Sequence, residues 1–275
     1  MQNKITAIII PTLGRIDKQI TYHNLPKKYK DITYFVIQEH EYNDMSLLYG
    51  DNKVLCLPKE IKSIAPTREW IHNKFKNECY FVFDDDIDFV IKTPIRENET
   101  LKWNTKYFDE NDFDDMFKLI SKWLNEGYIF GGLQAAYILP NEKLYPETEN
   151  FRVLTNVFYN GPKIPNNIQW NRVPFGEDLD VELQLLTQGF KNKVSIKYMA
   201  KCKPTGYKGG CSLQRTLEEH NKSQLKLKEL WPNFVTIREK EEKQGLWKGQ
   251  KKLNIIVQHK KAFNSSIQLD LLKDL

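Results

Sequence analysis

The 275 residues are 40% hydrophobic and carry a formal net charge of +5, which supplies ample core material and excludes a disordered chain. No apolar run approaches membrane-spanning length, and the first residues lead into a strand with no cleavage-type signal. Cys56, Cys79, Cys202 and Cys211 stand far apart without paired zinc spacing, as expected of free thiols in a reducing cytoplasm, while the modest basicity allows an anionic partner without requiring one.

In chain order, ITAIII (5–10) and ITYFVI (32–37) are β-branched and aromatic runs that predict buried strands, and KVLCL (53–57) predicts a shorter third. PTREWIHNKFKN follows, with Pro66 opening a helix whose Trp70, Ile71, Lys74 and Phe75 have helical spacing. YFVF (80–83) predicts a fourth strand. NDFDDMFKLISKWLNEG (111–127) predicts an amphipathic helix, and GGLQAAYIL (131–139) and FRVLTNVFYN (151–160) predict strands around a polar loop. PFGEDLDVELQLLTQGF predicts a helix, with Leu179, Leu183 and Leu186 in step and Gly189 as its stop. SLQRTLEEHNKSQLKLKELWP (212–232) predicts a further helix stopped by Pro232. A charged tail over 238–252 follows, readable as an accessory hairpin or as a flap over an acceptor, and then a last strand in KLNIIVQH. Strands alternating with helices predict an α/β, Rossmann-like domain over 1–232, with a mostly parallel mixed sheet flanked by helices. Residues 233–275 are expected to form a basic accessory segment packed on that same domain.

Ligands of such sheets sit beyond the C-terminal ends of the strands. PTLGR follows the first strand there, and DDD (84–86) follows the fourth. Aspartate is common in turns, but three adjacent carboxylates repel one another. A divalent cation between them relieves that repulsion, and hard oxygen ligands suit Mg²⁺ or Mn²⁺. In extended chain Asp84 and Asp86 share a face, so one can hold the metal while another holds a sugar or ribose hydroxyl. Glu177, Asp178 and Asp180 open a later helix. Acids are favoured in any first turn, yet a carboxylate there can also take the proton of an attacking hydroxyl. The remaining candidates are less distinctive. His220 and His259 are late histidines, and Lys208 lies in the glycine-punctuated GYKGGCS (206–212), where backbone amides and an ammonium can meet a phosphate.

Taken together, IIIPTLGR, the helix carrying TREW, the DDD strand end and GEDLD resemble a nucleotide-sugar-dependent glycosyltransferase of the A-type fold, whose metal motif is Asp-x-Asp, over about residues 5–220. That resemblance implies Pro11, Thr12 and Arg15 near the nucleotide base and ribose. It implies Arg68 reaching towards the diphosphate or the first aspartate, and Asp84, Asp85 and Lys208 on the nucleotide sugar. It further implies Asp84, Asp86 and a late histidine, His220, as ligands of Mn²⁺ or Mg²⁺, and Asp178 as catalytic base with Glu177 as its alternative. The block EDLDVELQLLTQGF, then GGCS and a long helix ending in WP, resembles the TET/JBP-associated, base J glucosyltransferase-like DNA glycosyltransferases of bacteriophages. This implies a UDP-hexose donor, duplex DNA with a 5-hydroxymethylpyrimidine as acceptor, and work in the cytoplasm of an infected host without a membrane. The lysine-rich stretch 222–261, with Trp231 and Trp247, is then expected to contact phosphates and stack on bases, unless it is a solvated face over core tryptophans. A transferase acting on polysaccharide or a small glycoside would carry the same donor site. A non-enzymatic nucleic-acid-binding module would carry the basic tail.

Overall fold

The computed structural model describes residues 3–154, 156–202, 215–243 and 245–273, with 268–273 described by backbone alone. The first half holds β1 (Ala7–Pro11), α1 (Ile20–Asn24), α2 (Lys27–Lys30), β2 (Thr33–Ile37), α3 (Tyr42–Tyr49), β3 (Val54–Cys56), α4 (Ile64–Phe75), β4 (Cys79–Phe83), β5 (Asp88–Glu97), β6 (Thr100–Tyr107) and α5 (Glu110–Asn125). The second half holds β7 (Phe130–Ala135), β8 (Glu147–Glu149), β9 (Asn156–Asn160), α6 (Glu177–Thr187), β10 (Asn192–Lys201), α7 (Leu217–Leu230), β11 (Val235–Glu241), β12 (Lys251–Val257) and α8 (His259–Lys273).

β3, β2, β1 and β4 lie side by side and parallel. Their continuous apolar sequences follow from burial on both faces. Ile8, Ile10, Phe81 and Phe83 point into a core with α3 and α5, where Met45, Met116 and Trp123 sit. Ile9, Tyr80 and Val82 point into a second core with Ile71 and Phe75 of α4 and Val181 and Leu185 of α6. Pro66 sits in the first turn of α4, which begins at Ile64 behind Ser63; the missing N–H of a proline costs nothing there.

Beyond β4 the sheet is mixed. β9 is antiparallel to β4 and to β7, β10 is parallel to β7, and β5 and β6 extend the far edge as an antiparallel ribbon. β8 pairs with β10 where β5 has left it. The α/β architecture agrees with the sequence, but several boundaries differ. β7 stops at Ala135 and β9 starts at Asn156, and the segment between them supplies β8 to the edge of β10. Gly132 is required in β7: an added Cβ would come 2.2 Å from the Asn156 carbonyl oxygen. The ribbon, β10 and α8 were not expected from the sequence. In the C-terminal segment, β11 and β12 form the hairpin alternative for the tail, β12 lies against α7, and α8 lies against α6. Among the described residues no helix is long and apolar enough to cross a membrane.

Candidate active site

β1 and β4 are neighbours and parallel, so the segments after them meet at one edge. Pro11 ends β1 in register with Val36. The Thr12 hydroxyl donates to Asp85 Oδ2 at 2.5 Å, and Arg15 pairs with Asp85 and, at 3.0 Å, with Asp86 Oδ2. Gln19 Nε2 donates to Thr12 Oγ1 at 2.9 Å and to the Arg15 carbonyl at 2.8 Å. Thr21 clamps the aspartate turn itself. Its hydroxyl donates to the Asp84 carbonyl at 2.5 Å and accepts from the Ile87 N–H at 2.8 Å, while its own N–H donates to the Asp85 carbonyl. Neither Gln19 nor Thr21 carries a signal in sequence, since IDKQIT has no motif. Their roles come from α1 folding back across the strand end.

Opposite these groups stands the start of α6. Gly176 caps it with a left-handed φ of 91°, a conformation glycine adopts without strain. The Gly176 N–H donates to Glu177 Oε2 at 3.1 Å, and the Leu179 N–H donates to Asp178 Oδ1 at 2.8 Å. Arg68 of α4 bridges the two halves. Its side chain is 12% exposed, and it lies 3.1 Å from Asp84 Oδ1 and 3.6 Å from Glu177 Oε1. Asp84 and Glu177, each beside Asp178, hold their protons unusually well. Burial, and then Asp86, Asp85 and Asp178 acting against Arg68, push the Asp84 carboxyl up to about 7. Burial and Asp178, opposed by Arg68, push Glu177 up to about 7. For Arg68, the field of Asp84 and Glu177 outweighs a large burial cost and raises its pKa.

The edge therefore gathers Asp84, Asp85, Asp86, Glu177 and Asp178 around Arg15 and Arg68, leaving a surplus of negative charge. Asp85 is committed to Thr12 and Arg15. Asp84 and Asp86 each have one oxygen engaged by an arginine among the described residues. Two carboxylates with oxygens to spare are a set that Mg²⁺ or Mn²⁺ can use, the remaining ligands coming from substrate phosphate and water. No three His, Cys, Asp or Glu side chains converge as a ligand group among the described residues.

Other sequence candidates lie elsewhere. Asp180 is 1% exposed and saturated. It accepts from Arg172 Nε and Nη2 at 2.9 and 2.6 Å, from Trp231 Nε1 at 2.7 Å and from Gln184 Nε2 at 3.0 Å, so it fastens α6 rather than lining the cleft. The structure does not bring His220 to the aspartates. Its Nε2 meets the Leu253 carbonyl at 3.0 Å, its ring lies beside Trp247, and burial lowers its pKa to about 4. His259 is buried against Glu182 at 3.1 Å. Of the two readings for Trp231 and Trp247, stacking on bases or packing in the fold, the structure shows the second. Trp231 is tied to Asp180, and Trp247 is buried against His220. Lys208 falls outside the described residues.

The sequence profile of the TET-associated glycosyltransferase family matches residues 6–210. The beta-glucosyl-HMC-alpha-glucosyl-transferase of Enterobacteria phage T6 is 23% identical over 222 residues, which cover 78% of this chain and 77% of that protein. The protein of the same name from Enterobacteria phage T2 is 22% identical over 222 residues with the same coverage. A solved Bacillus anthracis structure, named as that of a putative glucose-1-phosphate thymidylyltransferase, aligns with a TM-score of 0.31 and 13% identity over 56% of this chain and 71% of that chain.

Proposed function

The chain belongs to the TET-associated glycosyltransferase family, and from that premise we propose that it transfers a hexose from a nucleotide-sugar donor, a UDP-hexose, to a hydroxyl carried by a modified pyrimidine in DNA. The observation that carries this reading is the meeting of the Asp84–Asp86 turn with Glu177 and Asp178 across Arg68. It sets a site for a phosphate-bound cation against a site for a proton acceptor.

The donor lies along the β1–β4 edge in this reading. Pro11 and Thr12 border the nucleotide, and Arg15 and Arg68 hold the aspartates and face the diphosphate. Lys208 is a further phosphate ligand. Asp84 and Asp86 hold Mn²⁺ or Mg²⁺, which when bound offsets the charge of the departing diphosphate. The acceptor oxygen attacks the anomeric carbon, the bond from that carbon to the diphosphate oxygen breaks, and the hydroxyl proton passes to a carboxylate. Asp178 suits that task better than Glu177. It is partly exposed and uses one oxygen on the Leu179 N–H, whereas buried Glu177 is engaged by the Gly176 N–H and by Arg68.

The acceptor hydroxyl is that of a 5-hydroxymethylpyrimidine. A second reading, favoured by the names of the phage T6 and T2 relatives, places it on a glucose already attached to such a base. The test offers a panel of nucleotide sugars with Mn²⁺ and follows released nucleoside diphosphate. The active donor is then incubated with duplexes holding 5-hydroxymethylcytosine, 5-hydroxymethyluracil or glucosylated 5-hydroxymethylcytosine. Transfer to only the glucosylated duplex selects the second reading. Transfer to a free saccharide and to none of the duplexes overturns both.

A further inference from the structure

Residues paired in register point to the same face of a sheet. Val82 pairs with Val157, Val157 with Gly132, Gln134 with Met199, Met199 with Val90, and Val90 with Tyr107. Side chains alternate along each strand, so Lys201, two residues past Met199, and Lys92, two past Val90, share the face of Val82. This is the face on which Arg68 of α4 reaches Asp84. The pairing directions also make β6, β7 and β10 parallel to β4. Tyr107, Ala135 and Lys201, the ends of those strands, therefore reach the edge where the aspartates stand.

This rim carries apolar surface that the fold leaves uncovered. Tyr107 is 55% exposed, and in the loop after β7 Tyr137 is 59% and Leu139 79% exposed. Tyr137 feels the charges of Arg152 and, more weakly, Asp178, which puts it in the electrostatic reach of the proposed base. The charge of the ribbon is sorted by face. Glu97 pairs with Lys102, and Asp109 and Asp112 pair with Lys106, all on or beside the far face. The near face holds Lys92, Arg96 with its partner Glu142, and Lys201, whose ammonium lies 5.0 Å over the Tyr107 ring with Asp88 as neighbouring carboxylate. The C-terminal lysines offer less: Lys251 is paired with Glu239, and Lys252 with Glu242 under Trp247.

We propose that this rim docks the acceptor duplex: Lys92 and Lys201 hold backbone phosphates, Leu139 enters the base stack as an apolar wedge, and Tyr137 stacks on the extruded pyrimidine beside Asp178. The assignment rests on the DNA-acceptor reading. A base inside a duplex cannot reach a cleft without leaving its stack, and apolar wedges stabilise the unstacked step. An aromatic platform holds any base by its face, and ammonium groups outside any ion pair among the described residues, that of Lys201 donating to the Tyr107 hydroxyl, answer the phosphate charge.

The test uses the full chain and whichever duplex, hydroxymethylated or already glucosylated, the wild type modifies. Leu139→Ala is expected to lower kcat/KM on that duplex about tenfold, the loss of one buried leucine contact. It should recover most of that loss on single-stranded DNA carrying the same base, where extrusion costs little. Lys92→Glu with Lys201→Glu is expected to raise the KM for duplex and flatten the dependence of log affinity on log salt by roughly two contacts. Calorimetric affinity for the nucleotide sugar and the melting temperature stay at wild-type values in both variants. Wild-type kinetics on duplex in both variants would overturn the docking surface while the DNA reading stands. An equal loss for Leu139→Ala on duplex and single strand would overturn the wedge. A wild-type enzyme that modifies no such duplex overturns the DNA reading and the docking surface with it.

Discussion

Asp178 and Asp180 are two residues apart in the same helical turn, and substitution is expected to separate them completely. Asp180→Ala removes the acceptor of a two-point Arg172 contact and leaves the Trp231 indole N–H without its partner, while the Gln184 amide keeps only the Gln169 carbonyl. Removing one member of a buried ion pair costs about 3–5 kcal/mol. Arg172 is 25% exposed against 1% for Asp180, so its guanidinium can turn partly to water, which moves the expectation to the lower end, about 3 kcal/mol. The stranded indole adds to this only in part, because contacts within one network are not additive. For a chain of this size about 3 kcal/mol lowers the melting temperature by roughly 6 °C or more. Asp178→Asn, by contrast, keeps an oxygen for the Leu179 N–H and should melt within about 1 °C of wild type, with kcat reduced roughly 10²–10⁴-fold. The assays are thermal unfolding followed by circular dichroism, and initial rates with saturating donor. A melting temperature for Asp180→Ala indistinguishable from wild type would refute the reasoning from the buried network, and full activity of Asp178→Asn would remove it as the base.

The Asp84 carboxyl is raised to about 7, so a proton competes with the cation below that pH. Mn²⁺ affinity measured by calorimetry should fall about tenfold per pH unit below 7 and level off above it. Without cation the native state holds more protons than the unfolded state between the ordinary carboxylate range and pH 7; stability should therefore fall as pH rises through that window, and added Mn²⁺ should restore it. Asp86→Asn should lose most transfer while remaining folded, and chelator should abolish wild-type transfer until Mn²⁺ is returned. Lys251→Ala should leave the KM for DNA within about twofold, since this exposed lysine is paired with Glu239 and surface pairs contribute little.

The parts of this molecule legible in sequence are those whose environment is uniform. β1, β2 and β4 read as strands because both faces are buried and nearly every residue is apolar. β5 and β6 did not, because the ribbon leaves the sheet and alternates lysines with β-formers over a Glu-Asn-Glu turn that resembles a loop. α8 went unread because HKKAFNSSIQLDLLK shows no continuous apolar stripe. In the site, the Asp84–Asp86 turn, Arg68 and Glu177–Asp178 announced themselves as charged groups at element ends. What local sequence cannot carry is which of several acids is already spent. The saturation of Asp180 depends on Arg172, Trp231 and Gln184, and Trp231 arrives from α7. The same limit applies to the tryptophans of the basic tail, whose packing partners lie outside their own segment.

The most direct test of the whole account is mass spectrometry of nucleosides digested from a 5-hydroxymethylcytosine duplex, bare or already glucosylated, after incubation with the active nucleotide sugar and Mn²⁺. The account predicts one added hexose on the hydroxymethylated or glucosylated nucleoside, none on cytosine or 5-methylcytosine in matched duplexes, and none with Asp178→Asn. Release of nucleoside diphosphate with transfer to free saccharides, and no mass gain on any modified nucleoside, would contradict it.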